Sequence, residues 1–180
     1  ISFGIGGDEV GGPAEQFAEA YRYARDAGLR LPAHAGETAG PESIRAALAI
    51  GAERIGHGIR AVEDAELMRR LREEQIPLEV CITSNVKTGA VASLDLHPVR
   101  RLFDAGVPIT LNTDDPGIFE CGLAGEFEIA REVFGFSEAE LSGIAAAARR
   151  FRPASCATTR SATANSGWIL ATCSCSTPTP

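Results

Sequence analysis

Three short polar motifs follow apolar runs along this chain: His34-Ala35-Gly36-Glu37, Gly56-His57-Gly58 and Leu111-Asn112-Thr113-Asp114-Asp115-Pro116. They contain two of its three histidines. A neutral imidazole is a good ligand for a catalytic divalent metal, and a carboxylate near metal-activated water can carry its proton. His34 is followed by two small residues, which let Glu37 turn back toward the same cavity. His57 lies between glycines, which permit close backbone approach and unusual dihedrals. Asp114 and Asp115 repel each other unless a cation or proton donor is present, so one suits a metal and the other a substrate. The chemistry these residues support together is metal-assisted hydrolysis. Taken singly they have plainer readings: a hydrogen-bonded core histidine, a helix-capping glutamate, a turn histidine and a capping pair at a turn. The third histidine, His97, precedes Pro98 at a helix start and reads as structural, away from the strand ends.

Alternating strands and helices are needed to bring the motifs together. Ile1–Gly6, Leu29–His34, Arg54–Gly56, Pro77–Ile82 and Val107–Leu111 read as strands. Helices are expected around Phe17, Tyr21 and Ala24, then over Pro41–Ile50, Glu63–Glu74, Pro98–Ala105 and Gly122–Phe134. A last helix starts at the capping box Ser137-Glu138-Ala139-Glu140, with Phe136 and Leu141 placed for a hydrophobic staple, and runs to about Arg150. Thr83–Leu94 reads as a long binding loop. This order predicts a parallel sheet with helices outside. No GxGxxG follows the first strand, which argues against dinucleotide binding. Strands ending in small or polar residues suit a (β/α)8 barrel, whose site is built at the C-terminal strand ends. A full barrel takes about 250 residues, so 180 residues are expected to hold only its second half, roughly strands four to eight.

Composition narrows the partners. The net charge is −7 and no basic stripe is present, which argues against nucleic acid and anionic membrane. No apolar run reaches the ~20 residues that span a bilayer. The five cysteines are odd in number and form no CxxC, so neither a disulfide framework nor a structural zinc cluster is expected, and a reducing cytoplasm is the default. The chain opens on Ile1 in a strand-like run and is expected to begin inside a domain, as a fragment. Residues 1–150 read as the barrel portion. From Pro153 onward the text is Ser, Thr, Ala, Cys and Pro without helical period, expected to be a disordered extension or the product of a reading-frame shift near Arg150–Pro153.

Together the motifs resemble the adenosine deaminase family of metal-dependent hydrolases. The matching text is Gly6-Gly7-Asp8-Glu9, the His34–Glu37 motif, Arg54-Ile55-Gly56-His57-Gly58, Glu79-Val80-Cys81 leading to Ser84-Asn85, Thr88-Gly89, and Leu111–Pro116. The resemblance implies a zinc ion held in part by His34 and Asp114. It implies that Glu37 passes a proton to the purine nitrogen beside the attacked carbon. It also implies that His57 holds the zinc-activated water and helps deprotonate it. Asp115 would hydrogen-bond the five-membered ring, and the Gly7 N–H the purine's other edge. The implied reaction converts adenosine to inosine plus ammonia in the cytoplasm, with a small-molecule purine nucleoside as substrate. The loop with Ser84-Asn85 and Thr88-Gly89 is equally compatible with 6-aminodeoxyfutalosine and less so with adenine. The family's His-x-His ligand pair is not in this sequence, and two protein ligands fall short of a catalytic zinc site. The chain alone is therefore expected to be inactive and poorly folded, and the intact parent a deaminase. A non-catalytic purine- or metal-binding relative, a purely structural barrel fragment and a phosphotriesterase-like or amidase relative are the competing readings.

Overall fold

The computed structural model describes residues 1–150, so the expectations for residues 151–180 lie outside the described part. Strands β1 (Pro32–Ala35), β2 (Arg54–His57), β3 (Leu78–Val80) and β4 (Ile109–Leu111) form one parallel sheet in sequential order. Before, between and after them run α1 (Ala18–Asp26), α2 (Pro41–Ala49), α3 (Ala65–Glu73), α4 (Ile82–Lys87), α5 (Val99–Asp104), α6 (Pro116–Phe119), α7 (Leu123–Glu132) and α8 (Glu138–Arg150). A doubly wound sheet reverses its strand order at a switch point. This sheet does not reverse, as expected of consecutive (β/α) units of a barrel. In β1 and β2 buried and half-buried residues alternate. Ala33, Ala35 and Ile55 join Ile44, Leu67, Leu71 and Leu102 in the core, while Arg54 and Glu79 pair on the other face.

The first predicted strand is irregular. Ser2 and Ile5 pair in parallel with Arg30 and Ala33 only as isolated bridges. The cause is Pro32, which has no N–H to continue the ladder. The Tyr21 hydroxyl fills the gap: it donates to the Pro32 carbonyl at 2.5 Å and accepts from the Ile5 N–H at 3.2 Å. Burial of this hydroxyl pushes its pKa up to about 12. The ladder resumes with His34 N–H to the Ile5 carbonyl.

A second departure concerns Thr83–Leu94, whose opening is the short helix α4 rather than loop. Ile82, Thr83, Ser84, Asn85 and Val86 are weak helix formers, so no local signal announces it. Its first turn is completed from far along the chain: the buried Glu126 carboxylate of α7 accepts from the Ile82 N–H at 2.9 Å and the Thr83 N–H at 3.3 Å. The predicted capping box is present. Ser137 N–H donates to Glu140 Oε2 at 2.7 Å and Glu140 N–H to Ser137 Oγ at 3.3 Å. Phe136 and Leu141, the staple pair, are both buried.

Candidate active site

The rim at the C-terminal strand ends collects the motif residues. His34 in β1 and His57 at the end of β2 stack, with ring centroids 4.3 Å apart. Gly56 lies against His34, where a Cβ would sit 3.4 Å from its Cα, and Gly36 adopts a φ of +69° where a side chain would strike Ile44. His57 itself (φ 59°) and Asp114 (φ 58°) are left-handed, a conformation costly for non-glycine residues and concentrated at functional sites.

Glu37 does not cap α2. It is buried and turned into the site, where Oε2 meets His34 Nε2 at 3.0 Å and Oε1 accepts from Asn85 Nδ2 at 3.0 Å and Thr88 Oγ1 at 3.3 Å. His57 Nδ1 lies 3.6 Å from Glu37 Oε1, and its Nε2 lies 3.9 Å from Asp114 Oδ2. Asp114 accepts from Ser84 Oγ at 2.7 Å. Burial opposes ionisation of Glu37, but the His34 hydrogen bond, the two imidazoles and the Asn85 amide outweigh it and hold the carboxyl down at about 2. For His34 burial works downward, and the hydrogen bond and charge of Glu37 with the charges of Glu9 and Asp114 carry the net shift upward. His57 shifts downward through burial and the neighbouring His34.

His34, Glu37 and His57 each offer a ligand atom within 4.8 Å of the others. This set suits a divalent cation, and the negative surroundings that favour charge on His34 are those such a cation would meet. Asp114 lies outside the set and adjoins it through His57. Asp115 is exposed; it precedes α6 without capping it by its side chain. The Gly7 N–H approaches His34 Nδ1 at 3.4 Å.

Three supporting residues escaped the sequence reading. Glu9 belongs to a noted motif but had no assigned task. Its carboxylate accepts from the N–H groups of Gly36 (2.9 Å), Glu37 (3.0 Å) and Ala39 (3.1 Å) and from Ser43 Oγ (3.1 Å). Glu126, described above, organises α4. His97 is placed differently from the expectation: it is buried beside the site, its Nε2 3.2 Å from Asn85 Oδ1. Spacing could not show this, because the intervening α4 folds back under a remote cap. Ser84, Asn85 and Thr88, expected to bear on substrate choice, bond to Asp114, Glu37 and His57.

Parallel (β/α) units with histidines and carboxylates gathered at their C-terminal ends are the layout of an amidohydrolase-type barrel. The sequence profile of the adenosine deaminase family matches residues 1–161, past the expected limit of the barrel portion, and the chain belongs to that family. It is 48% identical over 146 residues to an aminodeoxyfutalosine deaminase of Streptomyces avermitilis, covering 81% of this chain and 41% of that protein. It is 45% identical over 143 residues to an adenosine deaminase of Shewanella denitrificans, covering 79% and 43%. Among solved structures it resembles the adenine deaminase of Arthrobacter aurescens, with a TM-score of 0.82 and 40% identity over 86% of this chain and 47% of that one. A zinc-bound amidohydrolase of Burkholderia ambifaria matches with a TM-score of 0.72 and 33% identity, covering 78% and 40%. The chain thus spans less than half the length of the relatives it matches. Those relatives carry three different substrate names, and overall similarity does not rank them.

Proposed function

We propose that a protein built on this chain hydrolytically deaminates a purine nucleoside, adenosine to inosine plus ammonia, as a cytoplasmic enzyme. The observation that supports this best is the convergence of Glu37, His57 and His34 within 4.8 Å, with Asp114 adjoining, on the rim of a family barrel. In this reading His34 and Asp114 contribute two ligands to a divalent metal, taken as zinc, which when bound activates water for attack. Glu37, whose carboxyl stays ionised down to low pH, shuttles a proton to the ring nitrogen beside the attacked carbon. His57 orients the attacking water, Asp115 faces the five-membered ring, and the Gly7 N–H meets the opposite edge. Residues 1–150 supply the second half of the barrel.

A second substrate is 6-aminodeoxyfutalosine, since a relative 48% identical over 146 residues is an aminodeoxyfutalosine deaminase. Both carry the same 6-aminopurine, so the rim chemistry is shared and the choice lies with groups that grip the rest of the molecule. The test joins this chain to the N-terminal part of a family relative, giving a completed barrel. Zinc content and ammonia release are then measured on adenosine, 6-aminodeoxyfutalosine and adenine. We expect one zinc per barrel and turnover of a nucleoside in preference to adenine. The chain alone is expected to show neither tight zinc nor turnover. A completed, zinc-loaded barrel without turnover on any of the three would favour a purine- or metal-binding relative.

A further inference from the structure

We propose that Asn85 and His97 are positioning residues that hold His57 in a single tautomer, with Nδ1 bare and Nε2 protonated. The Val99 N–H can only donate, and it donates to His97 Nδ1 at 3.2 Å. The buried His97 ring is neutral at ordinary pH, since burial and the neighbouring His57 hold its pKa near 4. Its single proton is therefore on Nε2, which faces Asn85 Oδ1 at 3.2 Å. That contact turns the Asn85 amide so that its NH2 group points the other way. There it donates to Glu37 Oε1 at 3.0 Å and to His57 Nδ1 at 2.8 Å. A second constraint agrees. An amide oxygen facing the Glu37 carboxylate would be repelled, so Glu37 independently demands the NH2 group on its side. Asn85 is fully buried and both ring partners are 4% exposed, so no water competes for these bonds.

The consequence falls on His57. Its Nδ1 is occupied as an acceptor, and its proton sits on Nε2, the nitrogen that looks toward Asp114. In this form the ring meets the rim as a hydrogen-bond donor. It can hold the oxygen of the attacking water but cannot remove its proton. This deepens the proposed function, in which His57 orients the attacking water, by giving the reason it does not also deprotonate it, and it rests on that reading for its link to catalysis. The tautomer itself does not depend on it.

The experiment uses the completed barrel with this chain's histidines alone carrying 15N, introduced by segmental ligation. Long-range 1H–15N spectra then distinguish the Nδ1–H and Nε2–H forms of three rings. We expect His57 and His97 both to show the Nε2–H pattern. Asn85→Leu should move His57 toward the Nδ1–H form and lower kcat about 10- to 100-fold with little change in KM, as for loss of a residue that orients a ligand or catalytic ring. His97→Gln supplies an equivalent donor and should preserve the His57 pattern, whereas His97→Leu should disturb it. A His57 found as Nδ1–H in the unaltered protein overturns the proposal. So does a pattern unmoved by both Asn85→Leu and His97→Leu. If Asn85→Leu does not fold, the unaltered protein and the His97→Gln and His97→Leu pair still decide. A barrel that shows the expected tautomers without deaminating anything would overturn the proposed function and leave the tautomer assignment standing.

Discussion

The rim and the outer helical surface are held together in different ways. On the outside, many ion pairs join residues three or four apart on one helix, such as Arg69 with Glu73, Arg70 with Glu74 and Arg60 with Glu63. They are exposed to water and share one element. On the rim, partners come from distant segments and are mostly buried: Glu9 with Gly36, Glu37 and Ala39, Asn85 with Glu37 and His57, Glu126 with Ile82. A surface pair in water adds little, whereas a buried polar group stripped of its partner bears the whole desolvation cost. The site is therefore the part of the molecule whose geometry depends most on the rest of the fold.

Substitutions should separate the two regions sharply. The largest effect is expected at Glu37. In the completed barrel, Glu37→Gln should lower kcat by about 10²–10⁴-fold, the usual contribution of a positioned proton carrier, with the fold and zinc content unchanged. Full turnover would instead show that Glu37 is not the proton carrier. Glu9→Ala comes next. It leaves the Gly36, Glu37 and Ala39 N–H groups without their acceptor, and denaturant titration should show a loss on the order of 3 kcal/mol.

A comparable effect is expected on acidification. His97 has its pKa depressed to about 4 in the fold, against roughly 6.5 in the unfolded chain. Between those values the unfolded state binds the proton and the native state does not, so stability rises with pH through this window. Lowering the pH from 7 to 4 should cost on the order of 3 kcal/mol from this group. His97→Gln should flatten that part of the stability profile; an equal slope in both proteins would place the acid sensitivity elsewhere. The smallest effect belongs to the surface. Arg70→Ala should change stability by no more than about 0.5 kcal/mol. A loss as large as that of Glu9→Ala would break the contrast between the regions.

The sequence was legible where a structural cause is local. Apolar periodicity located the sheet's strands and most of the helices, and the Ser137–Glu140 box was readable because both partners lie within one turn. The rim motifs were readable because each strand end carries its own polar residues. Glu9, His97 and Glu126 were not, because each takes its meaning from a partner 12 or more residues away: Asn85 for His97, Gly36 for Glu9, Ile82 for Glu126. The first strand was read as regular because nothing in its own residues shows that the neighbouring strand has a proline opposite it, or that Tyr21 comes in to bridge the gap.

That tyrosine ties two otherwise independent parts of the chain. The segment leading to Gly7 is held to the sheet midway by a side chain of α1 and not by a backbone pair. The Ile5 amide should then exchange its hydrogen with solvent whenever α1 loosens, even while the sheet stays intact. The edge of the candidate site nearest Gly7 thus inherits the breathing of a helix on the outer surface, and Tyr21→Phe would let that edge exchange on its own clock.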